Sequence, residues 1–151
     1  MHSVATNGVK LEYEIRGVGK AVALIHLSLC ADSFATLMNQ PALAGYELIR
    51  YHRRGYAGSS RTDGPVSIAD QAADLAGLLD GLRVRAAHVV GHSYGGLVAL
   101  QLALDRPDLV GSLAHGICIA GSLWWSGEPG TEQIHGRGNP ELQAGRSCVG
   151  G

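Results

Sequence analysis

Little in this sequence points to a charged partner. Lys and Arg number 12 against 13 Asp and Glu, for a net charge of −1, and no block of like charge stands anywhere along the 151 residues. Tracking a phosphate backbone or an anionic membrane needs such a block, so neither nucleic acid nor membrane is expected as a partner. No apolar run approaches the roughly 20 residues of a membrane-spanning helix. Residues 1–8 lack the basic stretch followed by an apolar one that marks a secretory leader, and a cytoplasmic location is expected. Cysteine is scarce: Cys30, Cys118 and Cys148 are odd in number, widely spaced and without a C-x-x-C pair. Neither a disulfide framework nor a zinc site is indicated, and all three are read as thiols. Internal repeats are absent too, which leaves one ordinary domain of this length, burying roughly 70% of the surface its unfolded form exposes.

What is present is an alternation of strand and helix signals. Val4 to Thr6 and Val9 to Ile15 are β-prone runs separated by Asn7-Gly8, a pair suited to a type I′ hairpin turn. Ala21 to His26 is a near-continuous apolar run, as expected of a parallel strand covered on both faces. Ser33 to Ala44 is ambiguous because Pro41 interrupts any helix begun there, and Tyr46 to Tyr51 reads as another strand. Ser67 to Leu82 is the clearest helix: Ser67 and Asp70 sit at capping-box spacing, and Ile68, Ala72, Leu75, Leu79 and Leu82 share one face. Ala86 to Val90 reads as a short buried strand, Gly91 to Gly95 as a tight turn, and Gly96 to Leu104 as a helix apolar nearly all round, stopped before Pro107. Val110 to Ala114 starts one more strand. The alternation predicts an α/β fold with a mostly parallel sheet.

Gly91-His92-Ser93-Tyr94-Gly95 fits G-x-S-x-G. In a chain with 22 glycines the pattern alone says little, but here a buried strand leads into it and a buried helix leaves it. That is the setting of a nucleophile elbow, a turn sharp enough to lift the serine hydroxyl above the sheet and to leave no room for side chains at Gly91 and Gly95. The helix that follows aims its N-terminal N–H groups at the place where an oxyanion would form, with the Tyr94 N–H first in line.

With that elbow, residues 4 to 114 resemble the α/β-hydrolase family. Two further segments carry the resemblance: His26-Leu27-Ser28 looks like the family's His-Gly-x oxyanion turn, and Arg54-Gly55-Tyr56-Ala57-Gly58-Ser59 looks like its R-G-x-G-x-S loop. Leu27 and Ala57 stand where the family has or often has glycine, so a positive φ at Leu27 would be strained. The resemblance implies a serine hydrolase working through an acyl-enzyme on Ser93, toward a carbonyl ester, thioester or amide of a small molecule. It implies the Tyr94 and Ser28 N–H groups as oxyanion donors, and neither a cofactor nor a metal.

Plainer roles are weighed beside these. His92 points away from its neighbour on the elbow and is a poor base for Ser93. His26 and His88 read as hydrogen-bonded structural histidines. Arg53 and Arg54 read as holding their loop rather than an anion, and Trp124-Trp125 as an exposed apolar pair rather than a binding cage. A dinucleotide site is disfavoured because Ser93 fills the second glycine place of G-x-G-x-x-G and no acidic residue ends the next strand.

A serine hydroxyl needs a histidine to take its proton, and in this fold the chain order is Ser, then Asp or Glu, then His. Similar proteins place them commonly well over 100 residues beyond the elbow, whereas 58 residues follow Ser93. His115 and His135 are the downstream histidines, with Asp105, Asp108, Glu128, Glu132 and Glu141 as acids. None sits in a recognisable strand-to-loop setting, a triad from Glu128 and His135 included, so the general base and acid are read as absent. The chain therefore divides into residues 1–114, the N-terminal part of a hydrolase core ending at about the sixth strand, and residues 115–151, a glycine-rich tail without pattern. Loss of pattern in mid-strand is what a shifted reading frame from about Leu113 would produce, a question the nucleotide sequence decides. The resulting expectations are an incomplete hydrolase or an inactive fold serving as a binding module or no purpose at all. Lyase or cofactor-free oxidative chemistry is a third option. Self-association through an exposed sheet edge is expected in either case.

Overall fold

Asn7 and Gly8 both adopt positive φ, 46° and 74°, and fold the chain back into the expected hairpin. Strand β1 (His2–Thr6) pairs antiparallel with β2 (Val9–Arg16), Thr6 opposite Val9. In this computed structural model, residues 1–116 are described together with two short strand backbones beyond them. Met1–Gly116 is one compact unit and Ile117–Gly151 a second. In the second, Ser122–Trp124 pairs antiparallel with His135–Arg137.

Strands β3 (Lys20–Ile25), β4 (Tyr46–Tyr51), β5 (Ala87–His92) and β6 (Val110–Gly116) complete a six-stranded sheet in the order β1-β2-β4-β3-β5-β6. Its β4-β3-β5-β6 part is parallel, and β2 joins β4 antiparallel. Helix α1 (Ile68–Gly81) lies in the chain between β4 and β5, and α2 (Tyr94–Asp105) makes the crossover from β5 to β6. Side chains alternate across a strand, which explains the continuous apolar run of β3. Ala23 and Ile25 join Leu75, Leu78, Leu79, Val98 and Leu102 in the core beneath the helices, while Val22 and Leu24 pack with Met38 and Leu48 on the other face. Each large aliphatic side chain so buried contributes roughly 1.5–3 kcal/mol.

Helix α1 starts where its cap dictates. The Ser67 hydroxyl accepts the Asp70 N–H at 3.0 Å, and the Asp70 carboxylate accepts the Ser67 N–H at 3.0 Å, so two otherwise unpaired N–H groups are satisfied. Ala72, Leu75 and Leu79 are buried as their spacing predicts.

One segment left ambiguous is resolved and two expectations are corrected. Ser33 to Ala44 forms no α-helix; it is a run of turns with two 3-10 segments, Leu37–Asn39 and Pro41–Leu43, the second opening on Pro41 because proline's fixed φ and missing N–H suit a first helical position. Strand β5 runs on through Gly91 to His92 and α2 begins at Tyr94, so the tight turn shrinks from five residues to one. Nor is α2 buried all round: Leu97, Leu100 and Leu104 are 43%, 45% and 78% exposed along one side. No helix among the described residues is long and apolar enough to cross a membrane.

Candidate active site

With β5 ending at His92 and α2 starting at Tyr94, Ser93 alone makes the turn, at φ 54° and ψ −118°. A β-carbon crowds the backbone there, and such conformations cost of order 1–3 kcal/mol. Two hydrogen bonds hold it: the Ser93 N–H donates to the Gly116 carbonyl at 2.7 Å, and the Ser93 carbonyl accepts the Gly96 N–H at 2.8 Å. The flanking glycines are sterically required. A Cβ on Gly91 would come 2.6 Å from the Gly96 Cα and run into the Gly95 carbonyl; one on Gly95 would meet the Ile25 and His26 carbonyls at the end of β3. His92 faces the side of the sheet away from α2, its ring 6.4 Å from that of Phe34.

At the end of β3, His26 is buried and fully engaged. Its Nε2 accepts the Arg53 N–H at 3.1 Å, so the proton is on Nδ1, which donates to the Leu27 carbonyl at 2.7 Å. Burial drives its pKa down to about 4, against the pull of the Leu27 bond. The Leu27 carbonyl and the Ser28 N–H belong to one planar peptide unit, so holding the oxygen also sets the direction of that N–H. Leu27 does not adopt positive φ, so the condition for strain there is not met. Ala57 instead carries it, at φ 45°.

The loop after β4 is fastened on two sides. Arg54 grips Asp74 of α1 in a two-pronged bond, Nε to Oδ2 at 2.6 Å and Nη2 to Oδ1 at 2.5 Å, the loop-holding role expected of it. Arg53 is buried with its guanidinium 4.8 Å from the Tyr56 ring centre and 4.9 Å from that of Tyr94. Its Nη1 donates to Gln71 Oε1 at 2.5 Å, and Gln71 Nε2 donates to the Tyr94 hydroxyl at 3.1 Å.

Sequence reasoning passed over a charged cluster on the opposite side. Arg50 bonds both Glu14, at 2.7 Å, and Asp32, and His52 lies between Glu12 and Asp32. The His52 bond holds Glu12 below the usual carboxylate range; Arg50, then His52, does the same for Asp32. Only the strand register, with Glu14 opposite Arg50, could have revealed it, and register is not readable from one strand.

Of the downstream candidates, His115 does reach the elbow. Its Nε2 lies 3.3 Å from the Ser93 carbonyl oxygen, an acceptor, so this nitrogen is directed at the main chain and not at the hydroxyl. The ring lies over Gly96, where a Cβ would collide with it. Asp105 ends α2, roughly 18 Å from Ser93 at 1.5 Å per residue, and accepts from Gln101; Asp108 pairs with Arg106 at 2.7 Å. Neither is brought to the site. Glu128, Glu132, Glu141, Cys118, Cys148 and Trp125 lie outside the described residues, and His135 and Trp124 are described by backbone alone. Among the described residues the Ser93 hydroxyl has no hydrogen-bond partner, and no group of three or more His, Cys, Asp and Glu could hold a metal ion.

A serine held at positive φ between a parallel strand and the helix that crosses back over the sheet is the hallmark of one class of protein, and the chain belongs to it: residues 22–140 match the α/β hydrolase fold family. Among individual proteins it is 37% identical over 103 residues to one from Azorhizobium caulinodans provisionally named carbamate hydrolase RutD, covering 68% of this chain and 39% of that one. It is 37% identical over 111 residues to an epoxide hydrolase of Caballeronia sordidicola, covering 71% and 33%. Epoxide hydrolase A of Mycobacterium thermoresistibile superposes with a TM-score of 0.69 at 36% identity, over 76% of this chain and 37% of that structure. The chain thus spans less than half the length of the relatives it matches.

Proposed function

We propose that the chemistry of this site is acyl transfer to water, with Ser93 as nucleophile toward the carbonyl carbon of a small ester, thioester or amide. The observation that carries this reading is the φ of 54° at Ser93: a strained serine framed by two glycines that tolerate no Cβ costs stability, and strain of that kind clusters where a side chain is put to chemical use. In the reaction Oγ adds to the carbonyl, and the oxyanion so formed is met by the Tyr94 N–H at the start of α2 and the Ser28 N–H that His26 orients. Each such donor is worth about 2.7–4 kcal/mol in the transition state. The tetrahedral intermediate expels the alcohol, thiol or amine, which takes up through solvent the proton lost by Oγ, and water then adds to the acyl-enzyme, releasing the acid and returning a proton to Oγ. An ester or carbamate offers a carbonyl oxygen to those donors, and an epoxide offers none, which favours the acyl reading over the epoxide chemistry in some relatives' names.

The Ser93 proton needs a base. None of the described residues offers one, and with those residues alone release of the acyl group is expected to be slow. An activated ester with a good leaving group is the direct test. Mass spectrometry should find one acyl group per chain, on Ser93, with slow release and none in Ser93→Ala. An adduct of equal yield in Ser93→Ala would overturn the reading. The absence of any adduct from the unsubstituted chain supports the second reading, a hydrolase fold without catalysis, which the unpartnered Ser93 hydroxyl favours.

A further inference from the structure

The loops after β3 and β4 are both fastened, directly or through Glu12, to one side chain. His52, the residue after β4, is 4% exposed. Its Nδ1 lies 3.0 Å from Glu12 Oε2 and its Nε2 3.2 Å from Asp32 Oδ1. Asp32 belongs to the loop that starts with Ser28. Glu12, on β2, uses the same Oε2 to accept the Gly58 N–H at 3.0 Å, in the loop after Arg54. The main chain of His52 repeats the arrangement: its N–H donates to the Glu12 carbonyl at 2.9 Å, and its carbonyl accepts the Ser59 hydroxyl at 2.6 Å. Arg50 adds a second hold on Asp32 and is itself held by Glu14.

We propose that His52 is a positioning residue that couples the two loops, its imidazole holding Asp32 on one side and Glu12, with Gly58, on the other. The first loop carries the Ser28 N–H, and Ser28 and Leu29 are themselves exposed, so its place relative to Ser93 depends on such anchors. Protonated on both ring nitrogens, an imidazole donates to two carboxylates at once and, as one rigid ring, fixes their separation. The consequence for catalysis rests on the acyl-transfer reading; the coupling rests on the geometry alone.

Amide hydrogen exchange of the full chain, resolved by mass spectrometry, separates the two. His52→Gln should speed exchange at least tenfold in both residues 28–36 and residues 55–60, while β3 and β5 stay within twofold of the unsubstituted protein. Asp32→Ala, on an exposed loop and so expected to fold whatever His52→Gln does, should affect only 28–36, and Glu12→Ala chiefly 55–60. The proposal is overturned if His52→Gln loosens one loop alone, if it loosens β3 and β5 equally, or if Asp32→Ala leaves 28–36 unchanged. Where the unsubstituted chain acylates Ser93, His52→Gln should slow the acylation rate constant at least tenfold with one adduct per chain still reached. Failure of acylation with the exchange pattern intact would remove the hydrolase reading and leave the coupling standing.

Discussion

Ser93 carries strain that a different residue would not. Glycine adopts its φ and ψ without a clashing Cβ, so Ser93→Gly is expected to raise unfolding free energy by about 1 kcal/mol, read as a higher urea midpoint at unchanged slope. An unaltered midpoint would mean that the elbow is not strained. His26 sets a second residue-scale expectation, through pH. Its unfolded imidazole titrates near 6.5 and the buried one near 4. Above pH 6.5 both states are neutral and the contribution is fully present. Between 6.5 and 4 the unfolded chain takes up a proton that the folded chain refuses, so up to about 3 kcal/mol is lost on acidification. Urea titrations at pH 7 and pH 4 should show the stability advantage of the unsubstituted protein over His26→Gln shrinking by that order. An advantage that stays constant would mean His26 is protonated in the folded state.

At the scale of elements, what could be read in advance was what local rules determine. The Asn7-Gly8 turn, the Ser67 cap and the apolar face of α1 each depend on residues within one turn or one strand, and each is in the structure. Ser67→Ala is accordingly expected to lower stability by about 1 kcal/mol; circular dichroism against temperature would show the drop, and no change would mean that the reciprocal Asp70 bond is dispensable. The elbow was legible for the same reason, as a glycine pattern on a strand and a helix. The Ser33 to Ala44 segment was not, since a helix signal and Pro41 conflict there and only packing of Met38 against Leu48 and Val22 decides the outcome. The His52 cluster escaped notice because it joins residues from β2, β4 and two loops, and only tertiary structure brings those together. Leu27 shows a different limit: whether a position needs positive φ is a property of the folded turn, not of the residue found there.

At the scale of the molecule, and among the described residues, the sheet ends on β6, where Ser112, Ala114 and His115 are exposed, and beside it α2 presents Leu97, Leu100 and Leu104 to solvent. A strand edge next to an apolar helix stripe favours association. Size-exclusion chromatography with light scattering is expected to report species larger than one chain, reduced when the three leucines are replaced by glutamine; a monomer at all concentrations would contradict this. The strand order has a separate consequence for how the molecule comes into being. Once β1, β2, β3 and β4 have assembled, β5 adds beside β3 and β6 beside β5, always at the same side. Nothing already formed must open to admit a later strand. A nascent chain leaving the ribosome at about 5–20 residues per second must wait for β4 before β3 can join β1 and β2, but from there it extends the sheet in the order of synthesis, β5 on β3 and β6 on β5, the Ser93 turn closing only when Gly116 arrives to accept its N–H.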